Sequence, residues 1–279
     1  MKAVPLGTFR IGQGQPLLLF AGPCVVEGER MALATCEEIL RIAEKRGIPF
    51  VFKASYAKAN RLSHRSYAGP GLKKGLAVLQ KAKQRFGVPV LTDVHCVEEI
   101  RAVAEVADVI QIPAFLSRQT ALVQAAAKTK RVINIKKGQF LAPEDMRYIA
   151  QKCEAVGNKA VLLTERGTSF GYHDLVVDMR SLCTLRELGY PVVFDATHSL
   201  QKPGGAQGAS GGARNFLFPL TRAAVACGVD GLFVEVHPDP DRALSDSATQ
   251  MPLKDLGRLL EEVLAVQEAV ITCKGVSHA

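Results

Sequence analysis

The chain has 279 residues, 48% of them apolar and 22% charged, with 24 glycines and 14 prolines, a balance that excludes disordered and fibrous classes. Lys and Arg number 35 against 27 Asp and Glu, a net charge of +8. The bases form no block: the densest runs, Lys81 to Arg85 and Lys128 to Arg131, sit in helical surroundings, so small anionic substrates fit the excess better than nucleic acid.

At the N-terminus, Lys2 followed by the run Leu17 to Cys24 has the outline of a lipoprotein signal peptide. Arg10 and Gln13 interrupt it, and Pro23 separates the glycine from the cysteine. No apolar run approaches the ~18 residues of a membrane span. The reading is a cytoplasmic protein without membrane association. Its 7 cysteines are scattered without CxxC spacing and read as reduced thiols.

In chain order, Val4, Leu6, Phe9 and Ile11 alternate ahead of a turn at Gly12 to Gly14, which predicts a short hairpin within residues 1–16. Eight short apolar runs follow: Leu17 to Phe20, Phe50 to Lys53, Val88 to Thr92, Val109 to Ile112, Val132 to Lys136, Ala160 to Thr164, Pro191 to Phe194 and Gly231 to Val236. Runs apolar on both faces indicate parallel strands covered by helices. Between and after them, helical periodicity predicts helices over Met31 to Lys45, Gly71 to Phe86, Val97 to Val106, Arg118 to Lys128, Pro143 to Val156, Leu175 to Leu188, Gly212 to Cys227 and Leu253 to Thr272. Gly47, Gly87, Gly157, Gly189 and Gly228 fall where C-terminal caps belong.

Eight strand–helix units predict a (β/α)₈ TIM barrel, one domain over 1–279, with the N-terminal hairpin closing its floor. An open doubly wound sheet is the alternative, but no GxGxxG follows the first strand. Two stretches read as loops, Ser55 to Gly71 and the glycine-rich Ser199 to Gly212, the second with the composition of a lid.

In such a barrel the chemistry lies at the C-terminal ends of the strands. That rim receives Cys24; Lys53 and Lys58; Asp93 and His95; Gln111; Asn134, Lys136 and Lys137; Glu165 and Arg166; Asp195 and His198; and Glu235 and His237. Cys24, His198 and Glu235 end neighbouring strands once the barrel closes, and Asp246 follows the last. Sulfur, nitrogen and two carboxylates suit Fe²⁺ or Zn²⁺, with Mn²⁺ or Co²⁺ as substitutes. The plainer alternative is a buried cysteine and a hydrogen-bonded histidine. Lys53, Lys58, Arg61, Lys136 and Arg166 gather more positive charge than Asp93, Glu165 and Asp195 neutralise, which implies a phosphate or carboxylate ligand.

Beyond residue types, a series of ordered segments carries a resemblance: Ala21-Gly-Pro-Cys24, Phe52-Lys-Ala-Ser55, Lys58-Ala-Asn-Arg61, Gln111-Ile-Pro-Ala-Phe115, Arg118-Gln-Thr120, Asn134-Ile-Lys-Lys-Gly-Gln-Phe140, Thr164-Glu-Arg-Gly-Thr168, Phe170-Gly-Tyr172, Phe194-Asp-Ala-Thr-His-Ser199, Ser210-Gly-Gly212 and Glu235-Val-His-Pro238. From about Leu17 to Leu253 the chain resembles the 3-deoxy-D-manno-octulosonate 8-phosphate synthases. The related heptulosonate synthases, which use erythrose 4-phosphate, typically carry Lys-Pro-Arg-Thr where this chain has Lys58-Ala-Asn-Arg61.

The resemblance implies condensation of phosphoenolpyruvate with D-arabinose 5-phosphate and water, for lipopolysaccharide biosynthesis, by a homotetramer. It implies that Lys53, Lys58, Gln111, Ala114, Lys136 and Arg166 hold phosphoenolpyruvate, with Phe115 against its methylene, and that Asn60, Arg61 and Asp93 receive the pentose phosphate. Lys53, Lys58, Asn60, Asp93, His198 and Asp246 are the implied catalytic set. Cys24, where the metal-free class has Asn, implies the metal-dependent class, with Cys24, His198, Glu235 and Asp246 as ligands of one divalent ion per subunit.

Three positions depart from the family pattern: Ala57 replaces an acidic residue, Leu62 a serine, and Ala68 an arginine, with Arg65 available nearby. The last two lie in the acceptor segment, so the heptulosonate reaction stays as an alternative acceptor reading. A lysine Schiff-base aldolase and a basic nucleic-acid-binding protein are more distant alternatives.

Overall fold

A computed structural model describes residues 3–61, 63–206 and 209–275. The chain opens with the antiparallel strands β1 (Val4–Leu6) and β2 (Phe9–Ile11), followed by β3 (Leu18–Gly22), β4 (Phe50–Lys53), β5 (Val90–Asp93), β6 (Val109–Ile112), β7 (Val132–Lys136) and β8 (Val161–Glu165). A two-residue pair, β9 (Thr168–Ser169) and β10 (Leu175–Val176), precedes β11 (Val192–Asp195). A second hairpin, β12 (Gln201–Ala206) and β13 (Ala209–Gly212), precedes β14 (Gly231–His237) and the short β15 (Met251–Pro252). The helices are α1 (Glu29–Glu44), α2 (Leu72–Phe86), α3 (Ile100–Val106), α4 (Thr120–Lys128), α5 (Met146–Glu154), α6 (Arg180–Glu187), α7 (Leu217–Ala226) and α8 (Leu256–Gly275).

Strands β3, β4, β5, β6, β7, β8, β11 and β14 pair in parallel in that order, and β14 also pairs with β3, closing the ring. This is the expected (β/α)₈ barrel. Alternation along each strand divides two cores. Leu19, Phe52, Ile133, Ile135, Leu163, Phe194 and Val234 point outward into the layer under the helices. Leu18, Phe20, Val51, Leu91, Val109, Val132, Leu162, Val193 and Phe233 fill the barrel, where Val4, Leu6 and Ile11 of the hairpin join them. The hairpin turns at Gly7 and Thr8, ahead of the expected Gly12 to Gly14. Barrel strands of four to seven residues leave room for apolar inward residues below and polar ones above.

Two predicted helices start about five residues later than their periodicity suggests. Leu175 and Val176 pair with Ser169 and Thr168, and α6 begins only at Arg180, whose N–H donates to the Asp178 carboxylate at 2.9 Å. Gly212 ends β13, and α7 begins at Leu217 after a 3₁₀ turn over Arg214–Phe216. Within the glycine-rich stretch Ser199 to Gly212, Gln201–Ala206 and Ala209–Gly212 therefore pair as antiparallel strands rather than forming irregular loop. Glycine is needed at Gly87, the left-handed cap of α2, whose N–H reaches the Lys83 carbonyl. It is needed also at Gly22, where a Cβ would lie 2.0 Å from the Lys53 carbonyl oxygen, so this residue alone lets the chain leave β3 toward Cys24 alongside β4.

Candidate active site

A cavity of about 640 Å³ opens at the C-terminal end of the barrel. It is built by inward residues near the ends of five strands. Lys53 ends β4, Asp93 ends β5, Gln111 lies in β6 and Glu235 lies near the end of β14, each two positions past an inward apolar residue, and Lys136 ends β7 beyond Val132 and Asn134. Loops add Lys58, Asn60, Arg61, Ala114, Phe115, Arg166, His198 and Asp246 to the lining. Cys24 lies fully buried behind this wall, with its Sγ 2.9 Å from Ser245 Oγ and its thiol donating to Asp246 Oδ2 at 3.1 Å.

Buried charges are tolerable only when paired. Lys53 pairs with Glu235 and donates to the Cys24 carbonyl at 2.9 Å; Lys58 lies 3.9 Å from the same Glu235 carboxylate. Lys136 pairs with Asp195 and stands 3.5 Å above the centre of the Phe233 ring, the topmost apolar residue inside the barrel. His198 fits between these pairs, Nδ1 2.7 Å from Asp195 and Nε2 3.6 Å from Glu235 and 3.9 Å from Asp246.

Burial works to raise Asp93, Asp195 and Glu235, and the surrounding cations outweigh it, holding all three carboxyls below the usual carboxylate range. The cations are His95, Lys58 and Lys53 at Asp93; His198 and Lys136 at Asp195; and His198, Lys53, Lys58 and Lys136 at Glu235. Burial likewise opposes the Lys58 ammonium, but Cys24 and the carboxylates of Glu235, Asp93 and Asp246 hold it above the ordinary lysine value. For Lys136 and Arg166 burial prevails and lowers both.

Four lining residues retain a buried polar atom without a hydrogen-bond partner: Asp93 Oδ1, Gln139 Oε1, Arg166 Nη1 and Glu235 Oε2. Buried polar atoms normally have a partner, and at a cavity wall a bound ligand can supply it. Asp246 adds a second sign, a left-handed φ of 48° in a residue other than glycine. Donor atoms of Cys24, Glu235 and Asp246 lie within 4.8 Å of one another, a cluster able to hold a metal ion. The partnerless Glu235 Oε2 and the soft sulfur beside two hard oxygens fit a transition cation. Burial, then Asp246 and Glu235, push the Cys24 thiol up, so a cation is the charge that would favour its thiolate.

His198 stands beside this cluster rather than within it. Asp195 at 2.7 Å and Lys136 at 3.4 Å hold its Nδ1, and only Nε2 turns toward the carboxylates. Two rim residues named from the sequence face away from the cavity: Glu165 accepts from Ser181 Oγ of α6 at 2.8 Å, and Lys137 lies 3.6 Å from Glu165. Leu62, one of the three departures, lies outside the described residues; Ala57 and Ala68 frame a turn closed by the bond from Lys58 N–H to the Ala68 carbonyl, 2.9 Å.

Sequence reasoning missed Ser245, which accepts from Arg61 and touches Cys24, and Gln250, which accepts the Cys24 N–H at 3.1 Å and donates to the Ser245 carbonyl at 2.7 Å. It also missed Gln201, which accepts from Arg166 at 2.7 Å and ties that arginine to the β12–β13 hairpin. Position next to Asp246 is the one sequence signal that marks Ser245; nothing local marks the other two. Among the described residues no helix is long and apolar enough to cross a membrane.

Residues 2–272 match the DAHP synthetase I family. Among curated proteins, the 2-dehydro-3-deoxyphosphooctonate aldolase of Geotalea uraniireducens is 54% identical over 270 residues, covering 97% of this chain and 99% of that protein. The protein of the same name from Geotalea daltonii is 55% identical over the same extent of both chains. That from Alkalilimnicola ehrlichii is 54% identical over 262 residues, 94% of this chain and 95% of the other.

Proposed function

The chain belongs to the DAHP synthetase I family, and on that premise we propose that it condenses phosphoenolpyruvate with D-arabinose 5-phosphate and water. The products are 3-deoxy-D-manno-octulosonate 8-phosphate, a precursor of lipopolysaccharide, and inorganic phosphate; the enzyme is a transferase. One observation carries this reading: a chain that matches relatives of that name along almost its whole length brings a cationic cradle and a Cys–Glu–Asp cluster to one barrel mouth.

Lys53, Lys58, Lys136 and Arg166 bind the phosphate and carboxylate of phosphoenolpyruvate, assisted by Gln111 and Ala114, while Phe115 packs on the methylene. Arg166 Nη1, buried without a partner, is the donor such an anion would satisfy. Asn60, Arg61 and Asp93 receive the pentose phosphate. Held in attack geometry, carbon three of the enol forms the new bond to the aldehyde carbon as water adds to carbon two; the bond from carbon two to the bridging phosphate oxygen then breaks. Negative charge grows on the aldehyde oxygen, and the attacking water gives up a proton. Lys53, Lys58, Asn60, Asp93, His198 and Asp246 are the groups placed to stabilise the one and accept the other.

One divalent transition ion per subunit is held by Cys24, Glu235 and Asp246, with His198 turning Nε2 to it; Fe²⁺ or Zn²⁺ suits these donors, and Mn²⁺ or Co²⁺ substitutes. When bound, it supplies positive charge to one of the two reacting oxygens. The enzyme is a cytoplasmic homotetramer of single-domain barrels, binding small phosphorylated substrates and neither nucleic acid nor membrane.

Purified protein incubated with phosphoenolpyruvate and a panel of aldose phosphates tests the reading. Phosphate is expected with arabinose 5-phosphate. Release with erythrose 4-phosphate alone would assign the heptulosonate reaction instead, and borohydride trapping of a sugar or pyruvate adduct on Lys53 or Lys136 would assign a Schiff-base aldolase.

A further inference from the structure

Beside Asp93 lies an arrangement that the reaction as described does not use. His95 Nε2 is 3.0 Å from Asp93 Oδ2, and its Nδ1 is 3.4 Å from Glu99 Oε2. The same Glu99 oxygen accepts the Tyr56 hydroxyl at 2.6 Å and the His95 backbone N–H at 3.0 Å. The fully buried Tyr56 ring meets the imidazole edge-on, with centroids 5.3 Å apart. His95 lines the cavity, whereas Glu99 lies outside it.

We propose that Glu99 is a positioning residue for the reaction: clamped by Tyr56, its carboxylate keeps the His95 imidazole doubly protonated, so that Nε2–H is always donated to Asp93 Oδ2. The inference rests on the reading of Asp93 as a group that receives the acceptor sugar. With Oδ2 engaged by His95, Asp93 Oδ1 remains the oxygen without a partner and is the one left for the substrate.

Charge supports the geometry. The groups that face His95 are Asp93 from β5, Glu99 from the turn before α3, and Tyr56 and Lys58 from the segment after β4. Burial and Lys58 work to lower the imidazole, and the bond to Asp93 with the charges of Asp93 and Glu99 raises it above the ordinary histidine value. Were Nδ1 to lose its proton, the neutral ring could still point either nitrogen's hydrogen toward a carboxylate, and the bond to Asp93 would no longer be assured. A merely structural role for Glu99, closing the turn through the His95 N–H and the Tyr56 hydroxyl, needs an acceptor oxygen but no charge.

Glu99→Gln separates the two, since the amide oxygen accepts both bonds and the charge is lost. In the full-length protein labelled with ¹³C-histidine, with the His95 signal among the 6 histidines assigned by His95→Gln, the His95 midpoint should fall by about one pH unit in Glu99→Gln. Activity that needs imidazolium is present below the midpoint and lost as pH rises through it. The alkaline limb of kcat/KM for arabinose 5-phosphate should therefore move to lower pH by the same amount.

Glu98→Gln removes an equal charge that faces no imidazole and should leave the midpoint in place. An unchanged midpoint in Glu99→Gln, or an equal fall in Glu98→Gln, would overturn the proposal. If Glu99→Gln does not fold, Glu99→Asp, which draws the carboxylate back from Nδ1, should lower the midpoint by a smaller amount, and no fall there overturns it equally. The titration needs no substrate, so it fails or succeeds independently of which sugar the enzyme takes.

Discussion

The two ends of the barrel interior are made by the same strands and obey opposite rules. At the floor, Leu18, Val51, Leu91, Val132, Leu162 and Val193 meet Val4, Leu6 and Ile11 in a dry apolar layer. Two residues further along the same strands stand Lys53, Asp93, Asn134, Thr164 and Asp195. The floor is held by burial, which is non-directional and tolerant of exchange. The mouth is held by ion pairs among groups almost wholly removed from water, where each charge is tolerable only because of its neighbour. Stability thus resides mainly below and chemistry above, and substitutions should separate them.

The largest effect is expected from Lys53→Met. It leaves Glu235, fully buried, without its nearest cation, with His198, Lys58 and Lys136 remaining, and removes a proposed anion ligand. A loss of about a thousandfold or more in kcat/KM (~4 kcal/mol) is expected in the phosphate-release assay; a loss under tenfold would break the contrast between mouth and floor.

Next is the metal: chelation should reduce activity at least a hundredfold, with recovery on adding back Fe²⁺ or Zn²⁺, and elemental analysis should find Cys24→Asn depleted of metal. Full occupancy in Cys24→Asn would remove Cys24 from the site. At the floor, Ile11→Ala should lower unfolding free energy by about 2–5 kcal/mol in urea titration while kcat/KM at 25 °C stays within about twofold.

The smallest effect near neutral pH is the stability profile itself. The carboxyls of Asp93, Asp195 and Glu235 lie below their unfolded values in the folded protein, so the stability they contribute is complete above the ordinary carboxylate pKa of about 4 and is lost as pH falls through the folded values. Calorimetry should find Tm falling below about pH 5. Ile11→Ala should follow a parallel curve, and Lys53→Met a flatter one.

Much of this contrast is legible in the amino-acid order. An apolar residue followed two positions later by a charged one, as in Val51 and Lys53, Leu91 and Asp93, or Val193 and Asp195, already describes an inward face that turns polar at its C-terminal end. Where reading failed, the determining partner was remote or the pattern ambiguous. Leu175 and Val176 satisfy a helical period, yet they pair with Thr168 and Ser169, and the helix begins only at Arg180. The glycines between Ser199 and Gly212 suggested irregular loop because glycine carries no alternation, although backbone pairing between Gln201 and Gly212 needs no side chain. Glu99 reads as the polar face of a helix start; nothing local says that its carboxylate meets Tyr56, 43 positions away.

The sequence by itself determined the number and direction of the barrel strands, the apolar floor and the identity of the groups at the rim, since all of these follow from periodicities of two and 3.6 residues within short windows. Only the tertiary structure decided which groups meet. Cys24 and Asp246 touch across 222 positions, His198 is turned aside from them by Asp195 and Lys136, and Glu165 and Lys137 face away from the cavity. Ring closure and strand register are collective properties of all eight strands, and the direction a charged side chain takes in a buried mouth is set by partners that distant strands supply.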